Sequence, residues 1–77
     1  MELTIVSPEK TVFNGQVDSI VVPGTKGTFE ILNDHAPIIS SLLAGDIIVS
    51  QNNEKHTFSI HSGFVEVARN VVSICIE

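Results

Sequence analysis

The sequence predicts an all-β domain of about nine short strands, closed as a sandwich or a barrel. Three observations carry this. Short stretches rich in Val, Ile, Phe and Thr follow one another along almost the whole chain. Turn compositions interrupt them at close intervals. Within the stretches apolar and polar residues alternate, the period of a strand with one face in a core and the other in water.

The first strand, Leu3 to Ser7, is stopped by Pro8-Glu9-Lys10, and the second, Thr11 to Asn14, by Asn14-Gly15. Gln16 to Val22 follows and ends at Pro23-Gly24; Thr28 to Leu32 leaves the other side of that Gly-rich turn. Ile38 to Leu43 ends at Ala44-Gly45, Asp46 to Gln51 at Asn52-Asn53, Lys55 to His61 at Ser62-Gly63, and Phe64 to Ala68 at Arg69-Asn70, before Val72 to Glu77. Alternation places Ile47 and Val49, Phe58 and Ile60, Val65 and Val67, and Val72, Ile74 and Ile76 on inward faces. One segment is ambiguous: in APIISSLLAG the residues Ile38, Ile39, Leu42 and Leu43 also fit a helical spacing, with Pro37 at a first helical position. On pattern alone strand and helix both stand there.

Seventy-seven residues make one domain, 1–77, with one modest core and little room for a large cleft. The formal charge of −5, from four basic and nine acidic residues, argues against nucleic acid and against anionic lipid, since both need a cationic surface. The longest apolar runs, Ile20 to Val22 and Leu42 to Ala44, are far too short to span a bilayer. MELTIV has no basic region ahead of an apolar core, and the single Cys75 forms no intrachain disulfide, so a reducing cytoplasmic setting is expected.

No catalytic or metal constellation emerges. In Gly24-Thr25-Lys26-Gly27 the lysine lies between the glycines, whereas a phosphate loop needs four residues between them and Lys-Ser/Thr after the second. The same four residues match a GXXG nucleic-acid clamp literally, but that loop joins helices in a basic domain. A hairpin turn whose glycines take positive φ is the expectation. His35, His56, His61 and Cys75 lack the close pairing of a zinc set, and no basic sequence neighbour activates Cys75. Ser40, Ser41 and Ser62 lack a nucleophile signature, and the carboxylates are scattered as on a solvated surface. The residues by themselves describe a small acidic β domain, without cofactor or metal, that binds something.

The run PGTKGTFEILNDHAPIIS, preceded by SPEKTVFNGQVDSIVVP and followed by SGFVEVARNVVSI, resembles the epsilon subunit of the rotary F-type ATP synthase. That family carries P-G-x-x-G-x-F-x-[IV]-L-x-x-H-A-P and S-G-G-F-x-E-V, and the likeness runs from Leu3 to Glu77. It implies a two-sheet β-sandwich of about nine or ten short strands, with Ile38 to Leu43 as a strand. It also implies a non-catalytic central-stalk subunit that braces the gamma subunit on the c-ring and couples ion flow to ATP synthesis. Gamma, the polar loops of the c-ring, and alpha and beta in the assembled complex are the implied partners, at the cytoplasmic face of a bacterial inner membrane. The resemblance puts Ser7, His35, Ala36, Pro37 and Ser40 against gamma, and Thr25, Lys26, Gly27 and Thr28 in a ring-facing turn.

Three positions depart from the family: Thr28 where an acidic residue is frequent, Asn33-Asp34 where Pro-Gly is frequent, and a lone Gly63 after Ser62. Many relatives continue into a two-helix C-terminal domain that binds ATP and inhibits hydrolysis; the sequence ends at Glu77, so no regulation by those helices is expected of it. The adjacent pairs Ile38-Ile39 and Leu42-Leu43 cannot all enter one core, so half of that set is expected to face outward toward a partner. The alternative reading is a free-standing β-sandwich module that takes a peptide or small ligand at an exposed edge.

Overall fold

The computed structural model describes residues 1–77 and is built from nine strands without a helix. These are β1 (Glu2–Val6), β2 (Thr11–Gln16), β3 (Ser19–Gly24), β4 (Gly27–Leu32), β5 (Ile38–Leu42), β6 (Gly45–Gln51), β7 (Glu54–Ile60), β8 (Gly63–Ala68) and β9 (Val71–Ile76). The segment compatible with a helix is therefore strand β5. Two layers, β2-β1-β9-β8-β5 and β4-β3-β6-β7, form one continuous ladder because β5 meets β3 at a single pair, Gly24 and Leu42. The first and last strands lie side by side in parallel, Leu3 opposite Val72 and Ile5 opposite Ile74, so the rest of the chain is wrapped between them. All other pairings are antiparallel.

The core is wholly apolar. Leu3, Ile5, Ile20, Val22, Ile31, Ile47, Val49, Val65, Val72 and Ile74 are fully buried, and no polar or charged side chain is buried with them. Of the inward residues expected from alternation, Ile47, Val49, Ile60, Val65, Val67, Val72 and Ile74 are in the core, while Phe58 and Ile76 only pack against it from partly exposed positions. Phe58 stands on the edge strand β7, and Ile76 is the last residue of β9. Along the far side, where β2 and β7 end their layers, Phe13 meets Phe58 edge-on at 5.8 Å and lies 6.2 Å from the His56 ring. Aromatic packing closes that side without a hydrogen-bonded ladder.

Two turn assignments change. Asn14-Gly15 is no turn: both residues lie inside β2, opposite Thr4 and Leu3. The chain passes from the first layer to the second at Val17-Asp18, which carries no local turn signal because its partners come from far away. Val17 N–H donates to Met1 O, Asp18 N–H to Ser50 O, and the Asp18 carboxylate accepts from Asn52 N–H. At the Gly-rich hairpin only Gly27 takes a positive φ, 123°. Gly24 is needed for space instead, since a methyl there would come within 2.7 Å of the Phe29 ring and 2.9 Å of Gly27 O. The other tight turns use Asn52-Asn53 and Arg69-Asn70, all four with φ between 51° and 66°, the left-handed geometry of two-residue hairpins.

Candidate interaction site

Strand β5 organises the exposed features. Ile38, Ser40 and Leu42 turn toward the interior and Ile39 and Ser41 away from it, which leaves Ile39 74% exposed and Leu42 3% exposed. Leu43, just past the strand, is 53% exposed while its N–H donates to Pro23 O. Half of the paired apolar residues thus face solvent, as their adjacency requires. Phe64, opposite Ser41 on β8, adds a third exposed apolar side chain. The residue reading passed over Phe64, although alternation with inward Val65 and Val67 already turns it outward.

Beside β5 a cleft of about 520 Å³ opens between the β3–β4 hairpin and that strand, lined by Thr25, Lys26, Gly27, Thr28 and Ser40 among others. The five hairpin and strand residues assigned to different partners therefore share one hollow. Ser40 is half-buried in it, with its hydroxyl donating to Ser41 O at 3.0 Å. His35, Ala36 and Pro37 stand at the other end of β5, where the chain enters from the Asn33-Asp34 turn. His35 Nδ1–H donates to Ala36 O at 2.7 Å and His35 N–H to Leu32 O at 3.2 Å, so this histidine is bound to its own loop. Pro37 forms a shallow depression with Ile38, Ile39, Glu66, Val67 and Ala68.

Ser7 lies apart from both groups. Its hydroxyl donates to Lys10 O and accepts from Lys10 N–H, closing the turn between β1 and β2, beside a hollow lined by Pro8, Phe64 and Cys75. No three residues of His, Cys, Asp or Glu converge as metal ligands would. His56 packs on Phe13 and His61 is exposed beyond β7, so the histidines remain separate.

A family model, "ATP synthase, Delta/Epsilon chain, beta-sandwich domain", matches residues 1–77. The chain belongs to this family. Among delta/epsilon relatives it is similar to the ATP synthase epsilon chain of Leptospira borgpetersenii, 40% identical over 96% of this chain and 58% of that protein. The ATP synthase epsilon chain of Chlorobaculum tepidum is 37% identical over 97% of this chain and 86% of its own length. The chain thus spans little more than half of some epsilon relatives and most of others. The delta/epsilon sandwich recurs in a chain of the Euglena gracilis mitochondrial ATP synthase, described as OSCP/F1/c-ring, with a TM-score of 0.91 at 23% identity over 96% of this chain and 48% of that one. It recurs also in the Tetrahymena thermophila mitochondrial ATP synthase central stalk and c-ring, with a TM-score of 0.84 at 21% identity over 97% of this chain and 61% of that one.

Proposed function

We propose that this domain is a non-catalytic rotor element of an F-type ATP synthase, bracing the gamma subunit on the c-ring so that ion flow is coupled to ATP synthesis. The observation that carries the reading is the delta/epsilon family match over residues 1–77. The physical form suits the role. A two-layer sandwich with an entirely apolar core is close-packed and stiff, and the exposed Ile39 and Leu43 offer apolar surface to a permanent neighbour. In this reading His35, Ala36, Pro37 and Ser40 face gamma, with Ser7 at the margin, and Thr25 to Thr28 face the polar loops of the ring. The working site is the cytoplasmic face of a bacterial inner membrane, reached through the complex, with alpha and beta as further neighbours.

The test is binding of the chain to the gamma subunit of the same organism. Ala36→Asp puts a charge on an exposed position of the contact segment and should weaken binding tenfold or more, since a buried unpaired charge costs several kcal/mol. Ser40→Glu should do the same, with its melting temperature measured alongside because Ser40 lines the cleft. Wild-type binding by both variants would show that gamma does not sit there.

A further inference from the structure

The entry to β5 is held by a turn from a distant part of the chain. Asn33-Asp34 turn the chain out of β4, and Asp34 has φ of 63°, a left-handed conformation that aspartate tolerates in turns better than most residues. Its N–H, left without a strand partner, donates to the side-chain oxygen of Asn70 at 2.9 Å, from 36 residues away in the chain. Asn70 is itself the second residue of the β8–β9 turn, with φ of 64°, and its backbone carbonyl accepts from Glu2 N–H at 3.1 Å. One residue therefore joins the start of β1, the β8–β9 turn and the loop that presents His35, Ala36 and Pro37.

We propose that Asn70 is a positioning residue for the His35-Ala36-Pro37 surface: its side-chain oxygen sets the path of that segment and so its fit to a partner subunit. The turn geometry alone asks only for a residue tolerant of positive φ, a demand that glycine meets at least as well. The side-chain acceptor is what glycine lacks. This inference rests on the proposed docking of gamma at that segment, while the holding of the loop does not depend on it.

The experiment compares Asn70→Gly, Asn70→Asp and Ala36→Asp in the full chain. Asn70→Gly keeps the left-handed turn and removes the acceptor; Asn70→Asp keeps both, and about 1 M salt, with a Debye length of about 3 Å, damps its repulsion with Asp34. Asn70→Gly should speed hydrogen exchange at the Asp34 amide and weaken gamma binding about fivefold, the scale of one lost hydrogen bond, and Asn70→Asp should restore both. Unchanged Asp34 exchange in Asn70→Gly would overturn the proposal, as would failure of Asn70→Asp to restore either property. Wild-type gamma affinity in Asn70→Gly, with Ala36→Asp still disruptive, would overturn the positioning role and leave the gamma surface standing. Wild-type affinity in Ala36→Asp as well would remove the surface and the positioning role together.

Discussion

Replacing Gly63 by alanine tests how tightly the ends of three strands are drawn together. Gly63 opens β8 and is paired on one side with Leu42 and on the other with Ile76. Its φ is not positive, so glycine is not needed there for conformational freedom. A methyl group at this position would overlap the carbonyl oxygen of Cys75 and come within 3.3 Å of Ile76 Cα. Both obstacles are backbone, which cannot rotate away as a side chain would. Relief requires β8 and β9 to part at a point that adjoins the buried Leu42. Overpacking of this kind costs about 2–3 kcal/mol. For a domain of this size each kcal/mol lowers the melting temperature by about 4–8 °C, so Gly63→Ala should melt roughly 10–20 °C below wild type. Gly15→Ala is the internal control. Its new methyl would meet the Gln51 amide at 3.3 Å, the end of a flexible side chain, so its melting temperature should stay within about 4 °C. Thermal melts followed by circular dichroism decide it: equal melting temperatures for the two variants would refute the argument from backbone overlap.

His35→Ala removes the bond from Nδ1–H to Ala36 O and should cost about 1 kcal/mol or less, a drop of no more than about 8 °C in melting temperature, while loosening gamma binding. A collapse in the intrinsic hydrolysis rate of a catalytic core carrying the variant would contradict the structural role given to this histidine. Phe13→Ala, which strips the ring between Phe58 and His56, should cost about 2–3 kcal/mol by urea unfolding, less than a fully buried aromatic because the site is half-exposed. A loss below about 1 kcal/mol would mean that aromatic packing does not close the β2–β7 side. The isolated chain should show no ATP binding at micromolar affinity by calorimetry, because its Gly24-Lys26-Gly27 turn lacks the spacing of a phosphate loop.

Most strands were legible because this core is built from alternation. Where a polar face and an apolar face are both present, as in β8 and β9, one residue's identity implies its neighbour's direction. The reading failed where partners are distant. Asn14-Gly15 has turn composition, yet the ladder with Thr4 and Leu3 keeps it extended. Val17-Asp18 has none, yet Met1, Ser50 and Asn52 supply its hydrogen bonds. The motif from Pro23 to Pro37 marked the surface of interest, but not that the hairpin and Ser40 would line one cleft, since that requires the Gly24–Leu42 pair. The bond from Asp34 to Asn70 was equally hidden, because Asn70 is fully accounted for locally as a turn residue.

In the rotor role proposed for this domain, the position of β5 gives a route for load between two neighbours. It is the strand through which the layers connect, paired with β8 from Ile38 to Leu42 and with β3 at Leu42. In the proposed rotor, the gamma-facing segment enters at its first residue and the ring-facing hairpin meets it at its last, about 13 Å away at the rise of an extended chain. Force applied at His35 to Pro37 therefore passes along a fully extended backbone that cannot lengthen without breaking the ladder to β8. At Leu42 it divides, into β8 through Gly63 and into the second layer through Gly24. Both receiving residues are glycines with no space for a Cβ beside a neighbouring strand or ring. Close approach at these two points lets the layers share the load, and a side chain at either would insert a compliant gap where the path must be stiff.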